Sequence, residues 1–250
     1  MTIRIAMWSG PRNISTAMMR SFENRADCTV VDEPFYAAYL AETGLDHPMR
    51  DAVLASQPTD WRTVAEELTA AGGGVVYEKH MAHHMLPGFG LDWVRDCRNA
   101  FLVRDPAEVL ASYVAKRGEV TLDDIGIVRQ REIFEREADR LGRAPPVVRG
   151  ADVTADPRGM LSKLCDALGI AFDAAMLSWP AGTRDSDGVW APAWYDSVWR
   201  STGFETPRRE AYPPLPDDLK RIADAARPHY EAMARWRLTL APLVGISSGI

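Results

Sequence analysis

The chain has 250 residues, 46% of them hydrophobic and 26% charged, with a formal net charge of -6 at pH 7. That length suffices for one packed core, and a single domain over residues 1–250 is expected. The acidic balance excludes a protein that coats nucleic acid or an anionic membrane, because both require an extended surplus of Lys and Arg.

Any bound anion is therefore small and met locally. Three cysteines, Cys28, Cys97 and Cys165, stand far apart without the paired spacing of a zinc or redox site, so they read as reduced, buried thiols. The opening "MTIRIAMWSG" lacks the apolar run of a secretory signal. No later segment reaches the roughly 18 apolar residues of a membrane span. A cytoplasmic protein with no membrane partner is expected.

In chain order, a strand over 3–8 runs through the loop "SGPRNIST" into a helix starting near Ser15. A second strand, 28–33, stops at Pro34 and leaves Glu33 at its carboxyl edge. A third, 74–79, carries Lys79 and is followed by His80. A fourth, 99–104, ends at Arg104 and gives way to a helix capped by Asp105 with Pro106 at its first position. The densely charged stretch Thr121–Leu141 opens on Thr121 and Asp124 and reads as one long exposed helix. A fifth strand is expected over 146–153, then a helix with Asp156 as cap, Pro157 at its start and Gly169 as its stop.

Residues 180–214, rich in Gly, Pro and aromatics and without a clear period, read as a long ordered loop or lid. A last helix begins near Pro216, with Pro228 expected to kink or break it. The strands lack in-out alternation, as in a parallel sheet covered on both faces. Strand and helix alternate, so the fold class is α/β, a doubly wound sheet of about five strands.

The loop at 9–16 places backbone N–H groups and a positive helix end at the carboxyl edge of the sheet, where such folds bind ligands. Gly10, Ser15 and Thr16 have the spacing of a phosphate-binding loop, but the second glycine and the lysine are missing, which disfavours an ordinary ATP or GTP site. From the residues alone, Glu33 is either a proton acceptor or an ion-pair partner of Arg12 or Lys79. Lys79 is either a ligand or a solvated strand-end lysine. His80, His83 and His84 invite a metal reading, but no carboxylate or cysteine is placed to complete the site and no metal is expected.

"PRNIST", Pro11 to Thr16, resembles the 5′-phosphosulfate loop of sulfotransferases whose donor is 3′-phosphoadenosine 5′-phosphosulfate (PAPS). Arg12 falls on that family's basic residue, Ser15 and Thr16 on its hydroxyls, with Asn13 inside the loop. Ile14 departs from it, standing where glycine is usual, so the loop conformation there must differ or use a right-handed region instead. "FLVRDPAEVLASYV" resembles the family's 3′-phosphate motif, an arginine after a strand and a serine eight residues on, here Arg104 and Ser112. The late Gly188-x-Trp190 resembles a segment that folds over the donor.

The resemblance implies a P-loop nucleotide-kinase-like sheet of order 2-3-1-4-5 and a sulfotransferase acting on a hydroxyl or amine of a small-molecule acceptor. It also implies Glu33 as base, with His80 as the runner-up, and Arg12 and Lys79 holding the developing charge. The alternatives are a nucleotide-kinase-like phosphotransferase and a non-catalytic nucleotide-binding protein of the same fold.

Overall fold

The computed structural model describes residues 2–70, 72–114, 120–205 and 214–240. Its first half contains β1 (Ile3–Ser9), α1 (Ser15–Glu23), β2 (Cys28–Asp32), α2 (Tyr36–Thr43), α3 (Arg50–Ser56), α4 (Trp61–Thr69) and β3 (Val75–Met81). The second half contains β4 (Arg98–Val103), α5 (Pro106–Val114), α6 (Ile127–Leu141), β5 (Val147–Arg149), α7 (Gly150–Ala155), α8 (Pro157–Leu168), α9 (Ala191–Trp194), α10 (Asp196–Arg200) and α11 (Asp217–Ala234). The five strands pair in parallel in the order β2-β3-β1-β4-β5, as the resemblance implied.

β1 and β4 are apolar on both sides because each side meets a separate core. Ile5 and Met7 of β1 join Tyr77, Leu102, the α1 residues Met18 and Phe22, and the α8 residues Leu161 and Leu164. Ala6 and Trp8 point the other way, to Phe101, Val103, Phe134 of α6 and Met233 of α11. This alternation decides below which residues of β3 reach the site.

Several sequence expectations differ from the structure. Thr121 and Asp124 do exchange bonds (Thr121 N to Asp124 Oδ2, 2.7 Å; Asp124 N to Thr121 Oγ1, 3.3 Å), but they close a turn before Gly126, and α6 starts only at Ile127. Nor is α6 an exposed helix, since Ile133, Phe134 and Glu137 are buried. The fifth strand ends at Arg149 rather than 153, because the chain turns at Gly150 into α7. A Cβ at Gly150 would lie 2.7 Å from Asn13 Oδ1, so a larger residue at the start of α7 would push the Asn13 side chain aside.

Pro228 does not break α11, which runs through it. Both Pro228 and Asp224, whose carbonyl loses its helical partner there, are exposed, so the lost bond falls at the surface of the helix. The stretch 180–205 is not without regular structure: it holds α9 and α10 and is tied back by a bridge between Ser178 and Gly203. Residues 206–213 of the expected lid, and 115–117 at the end of the expected fourth-strand helix, lie outside the described residues. Cys97 and Cys165 are buried and Cys28 is partly exposed.

Candidate functional site

The sheet changes direction between β1 and β4, and the loop after β1 sits at that carboxyl edge. Buried Gln130 of α6 donates from Nε2 to the carbonyls of Trp8 (2.8 Å) and Leu102 (3.0 Å), fastening the two strand ends. Gly10 passes so close to Ile125 that a Cβ would be 2.7 Å from its carbonyl oxygen. Ile14 takes φ -84, ψ 23, the right-handed side expected of a β-branched residue. The positive φ falls on Arg12 instead, at 56°. Such a conformation costs a non-glycine residue about 1–3 kcal/mol and persists where surrounding bonds enforce it.

Those bonds are visible. Asn13 Oδ1 accepts from the Ile14 N–H (2.9 Å) and its Nδ2 donates to the Leu102 carbonyl (3.3 Å), pinning the loop to β4. Arg104 Nη1 donates to the Arg12 carbonyl (2.5 Å), and Arg12 Nε donates to Ser112 Oγ (3.0 Å). Arg104 Nε also pairs with Glu108 Oε2 at 3.1 Å. The two motifs, about a hundred residues apart, thus touch directly. Ser15 opens α1, whose first-turn N–H groups have no intrahelical acceptor and give the loop a positive end.

A second cluster grows from β2 and β3. Asp32 and Lys79 are register partners on adjacent strands, so their side chains lie side by side on one face. Lys79 Nζ is 2.8 Å from Asp32 Oδ1 and 2.8 Å from Glu33 Oε1, and it also donates to the Tyr195 hydroxyl. Tyr195 donates to Asp32 Oδ2 (2.6 Å), which also accepts from the Gly188 N–H (3.1 Å). Glu33 has φ 41, and its N–H donates to the Lys79 carbonyl (2.9 Å).

Burial sets the electrostatics of this cluster. It pushes the Glu33 carboxyl above its ordinary range, against the opposing pull of Lys79. Burial alone would discharge Lys79, but Asp32 and Glu33 outweigh it and hold the ammonium well above its usual pKa. Burial and the Asp32 carboxylate keep the Tyr195 phenol protonated. His84, 3.9 Å from Glu33 Oε2 through Nδ1 and stacked on Tyr36, is held well below its ordinary pKa by burial and by the neighbouring histidines.

Both clusters face one cleft of about 350 Å³. Of the residues singled out from the sequence, Arg12, Asn13, Ser15, Thr16, Glu33, Lys79, Arg104 and Ser112 line it. His80 does not. One step along β3 from Lys79, it points to the opposite face, where it stacks on Trp8 (4.4 Å) and binds Glu78 Oε2 through Nε2 (3.1 Å). Gly188 and Trp190 are also absent from the lining: a Cβ on Gly188 would lie 2.1 Å from the Trp190 indole, so the two interlock. Trp190 is buried against Tyr36 and donates to the Tyr195 hydroxyl (3.2 Å), serving the site from behind.

Sequence reasoning missed Tyr36, His47 and Tyr195 on the cleft wall, weighed His83 and His84 only as metal ligands, and passed over Asp32 behind the wall. Asp32 stood in view beside Glu33, and Tyr195 among the late tryptophans, but neither position has a spacing rule. Among the described residues, no group of three or more His, Cys, Asp or Glu is placed to hold a metal ion. No helix among them is long and apolar enough to cross a membrane.

Known proteins share the family and the fold of this chain. The chain is 34% identical over 219 residues to branched-chain-amino-acid aminotransferase-like protein 2 of Arabidopsis thaliana, a match covering 86% of this chain and 39% of that protein. It thus spans about two fifths of the length of the curated relatives it matches. The sulfotransferase domain from the curacin biosynthetic pathway shares the fold, with a TM-score of 0.56 at 18% identity over 91% of this chain and 98% of that one. So does mouse sulfotransferase SULT7A1 complexed with PAP, with a TM-score of 0.53 at 13% identity over 94% and 90%. A family model described as the sulfotransferase domain matches residues 3–236, nearly the whole chain, and the chain therefore belongs to the sulfotransferase-domain family.

Proposed function

We propose that the chain transfers a sulfuryl group from PAPS to a hydroxyl or amine of a small-molecule acceptor. The observation that carries this reading is the junction of the 10–16 loop with Arg104 and Ser112 on one cleft that also holds Lys79 and Glu33. The fold neighbour solved with PAP supports a nucleotide of that kind.

The loop N–H groups, Ser15, Thr16, Arg104 and Ser112 hold the anionic groups of the donor. Glu33 takes the proton of the acceptor hydroxyl or amine as the acceptor atom bonds to sulfur and the sulfur–oxygen bond to the nucleotide phosphate breaks. Adenosine 3′,5′-bisphosphate leaves with the electron pair. Lys79 offsets charge on the sulfuryl oxygens and the bridging oxygen. A carboxyl held above its ordinary range by burial is the stronger base once ionised.

The plant relatives' name raises aminotransferase chemistry, which needs a lysine ready to lose its proton. Lys79, clamped between two carboxylates, is held in the opposite state. The test is incubation with PAPS and a panel of hydroxyl and amine acceptors in EDTA, following release of adenosine 3′,5′-bisphosphate. Acceptor-dependent release supports sulfuryl transfer. Magnesium-dependent turnover of ATP alone would make the chain a phosphotransferase, and bisphosphate binding without turnover of any acceptor would make it a binding protein.

A further inference from the structure

We infer that Arg12 recognises the donor's 3′-phosphate, and is thereby a specificity-determining residue for 3′-phosphorylated nucleotides rather than a group that steadies the sulfuryl in flight. The inference rests on the PAPS reading and assigns one residue within it.

Arg12 is fastened to the second motif at both of its ends. Its carbonyl accepts from Arg104 Nη1 at 2.5 Å, and its Nε donates to Ser112 Oγ at 3.0 Å. The left-handed backbone at Arg12, φ 56, belongs to the same arrangement. That φ is uncommon for a residue other than glycine, and it coincides with a guanidinium laid against α5. Two guanidiniums and one hydroxyl therefore gather along α5, where Glu108 Oε2 also pairs with Arg104, 3.1 Å from its Nε.

Charge matching favours the phosphate monoester. A terminal phosphate is close to a dianion at neutral pH, whereas the sulfuryl group carries less charge, and paired guanidiniums are the geometry suited to bidentate phosphate recognition. The other end of the cleft already has its cation. Lys79 Nζ lies 2.8 Å from Glu33 Oε1, next to the carboxylate that would meet the acceptor. With Arg12 Nε on Ser112, the developing sulfuryl charge is left to Lys79 and the loop amides.

The experiment is titration of adenosine 3′,5′-bisphosphate and of AMP into wild type, Arg12→Ala and Arg12→Gly. Glycine adopts φ 56 without strain and so separates loss of the side chain from disturbance of the loop. Both variants are expected to lose about 10- to 100-fold in bisphosphate affinity with AMP affinity unchanged, the range for charge-assisted hydrogen bonds. Unchanged bisphosphate affinity with a fall in kcat would overturn the inference and return Arg12 to the sulfuryl. Equal weakening of both nucleotides in both variants would also overturn it, making Arg12 a prop for the loop. A wild type that binds neither nucleotide would instead overturn the PAPS reading beneath it.

Discussion

The arginine end and the lysine end of the cleft bring together charged groups under different conditions. Arg104 is 25% exposed, with its charge shared between Glu108 and the Arg12 carbonyl at the protein surface. Lys79 is 1% exposed and Asp32 2%, and their pairing is completed by Tyr195 and Gly188 from a segment more than a hundred residues further on. Exposed ion pairs contribute little to folding because water competes for both partners. A buried pair is different: losing one member strands the other in a medium that cannot solvate it. Contacts at the arginine end can therefore be exchanged for a ligand at little cost to the fold, whereas those at the lysine end hold the fold together.

Replacing Lys79 breaks this contrast most strongly. Lys79→Met leaves Asp32 and Glu33 without their cation and is expected to lower unfolding free energy by about 3–5 kcal/mol, read by urea denaturation. Adding Asp32→Asn should recover part of the loss; a Lys79→Met protein as stable as wild type would show that the network is not structural. Next in size, Glu33→Gln is expected to lower kcat about 10²- to 10⁴-fold while leaving affinity for adenosine 3′,5′-bisphosphate unchanged. The pH profile sharpens that prediction. Because burial raises the Glu33 pKa, its carboxyl is already protonated at pH values where an ordinary glutamate is ionised. The acid limb of kcat/KM should therefore lie above the usual carboxylate range in wild type and vanish in Glu33→Gln.

The smallest effect concerns His84, whose pKa is lowered by burial and by neighbouring histidines. Unfolded His84 takes a proton near its ordinary value of 6.5 while the folded ring resists it, so stability is present above that value and declines as pH falls below it. Comparing thermal midpoints between pH 7 and pH 5, roughly the span over which an ordinary histidine titrates, should show a shallower decline in His84→Phe than in wild type. An equal decline would remove His84 as a cause.

What could be read in advance follows the same division. The arginine end depends on short-range rules: a loop between strand and helix, an arginine at a strand end, a serine eight residues on. Such spacings survive folding, so Arg12, Ser15, Thr16, Arg104 and Ser112 were nameable from the chain, as was the sheet order through the resemblance those spacings carry.

The lysine end depends on strand parity and on distant partners. Lys79 and His80 are equivalent in distance from the strand end but opposite in face, and only the meeting of Trp8 with His80 across the β1–β3 register reveals which side each takes. Tyr195 reaches Asp32 across 163 residues, a contact no local pattern encodes. Gly188 and Trp190 carry a recognisable spacing whose physical content is mutual packing behind the wall. The turn at Arg12 was half legible: Ile14 had to avoid positive φ, but where the strain would go was settled by Arg104 on the Arg12 carbonyl.

On this reading the two motifs form one seat for a nucleotide phosphorylated at its 3′ position. Titration calorimetry of adenosine 3′,5′-bisphosphate against ATP, with wild type and Arg104→Ala, tests it most directly. Metal-independent binding of the bisphosphate in preference to ATP, weakened about 10- to 100-fold in Arg104→Ala, is the expected result. Equal affinity for both nucleotides, or bisphosphate binding untouched by the substitution, would contradict it.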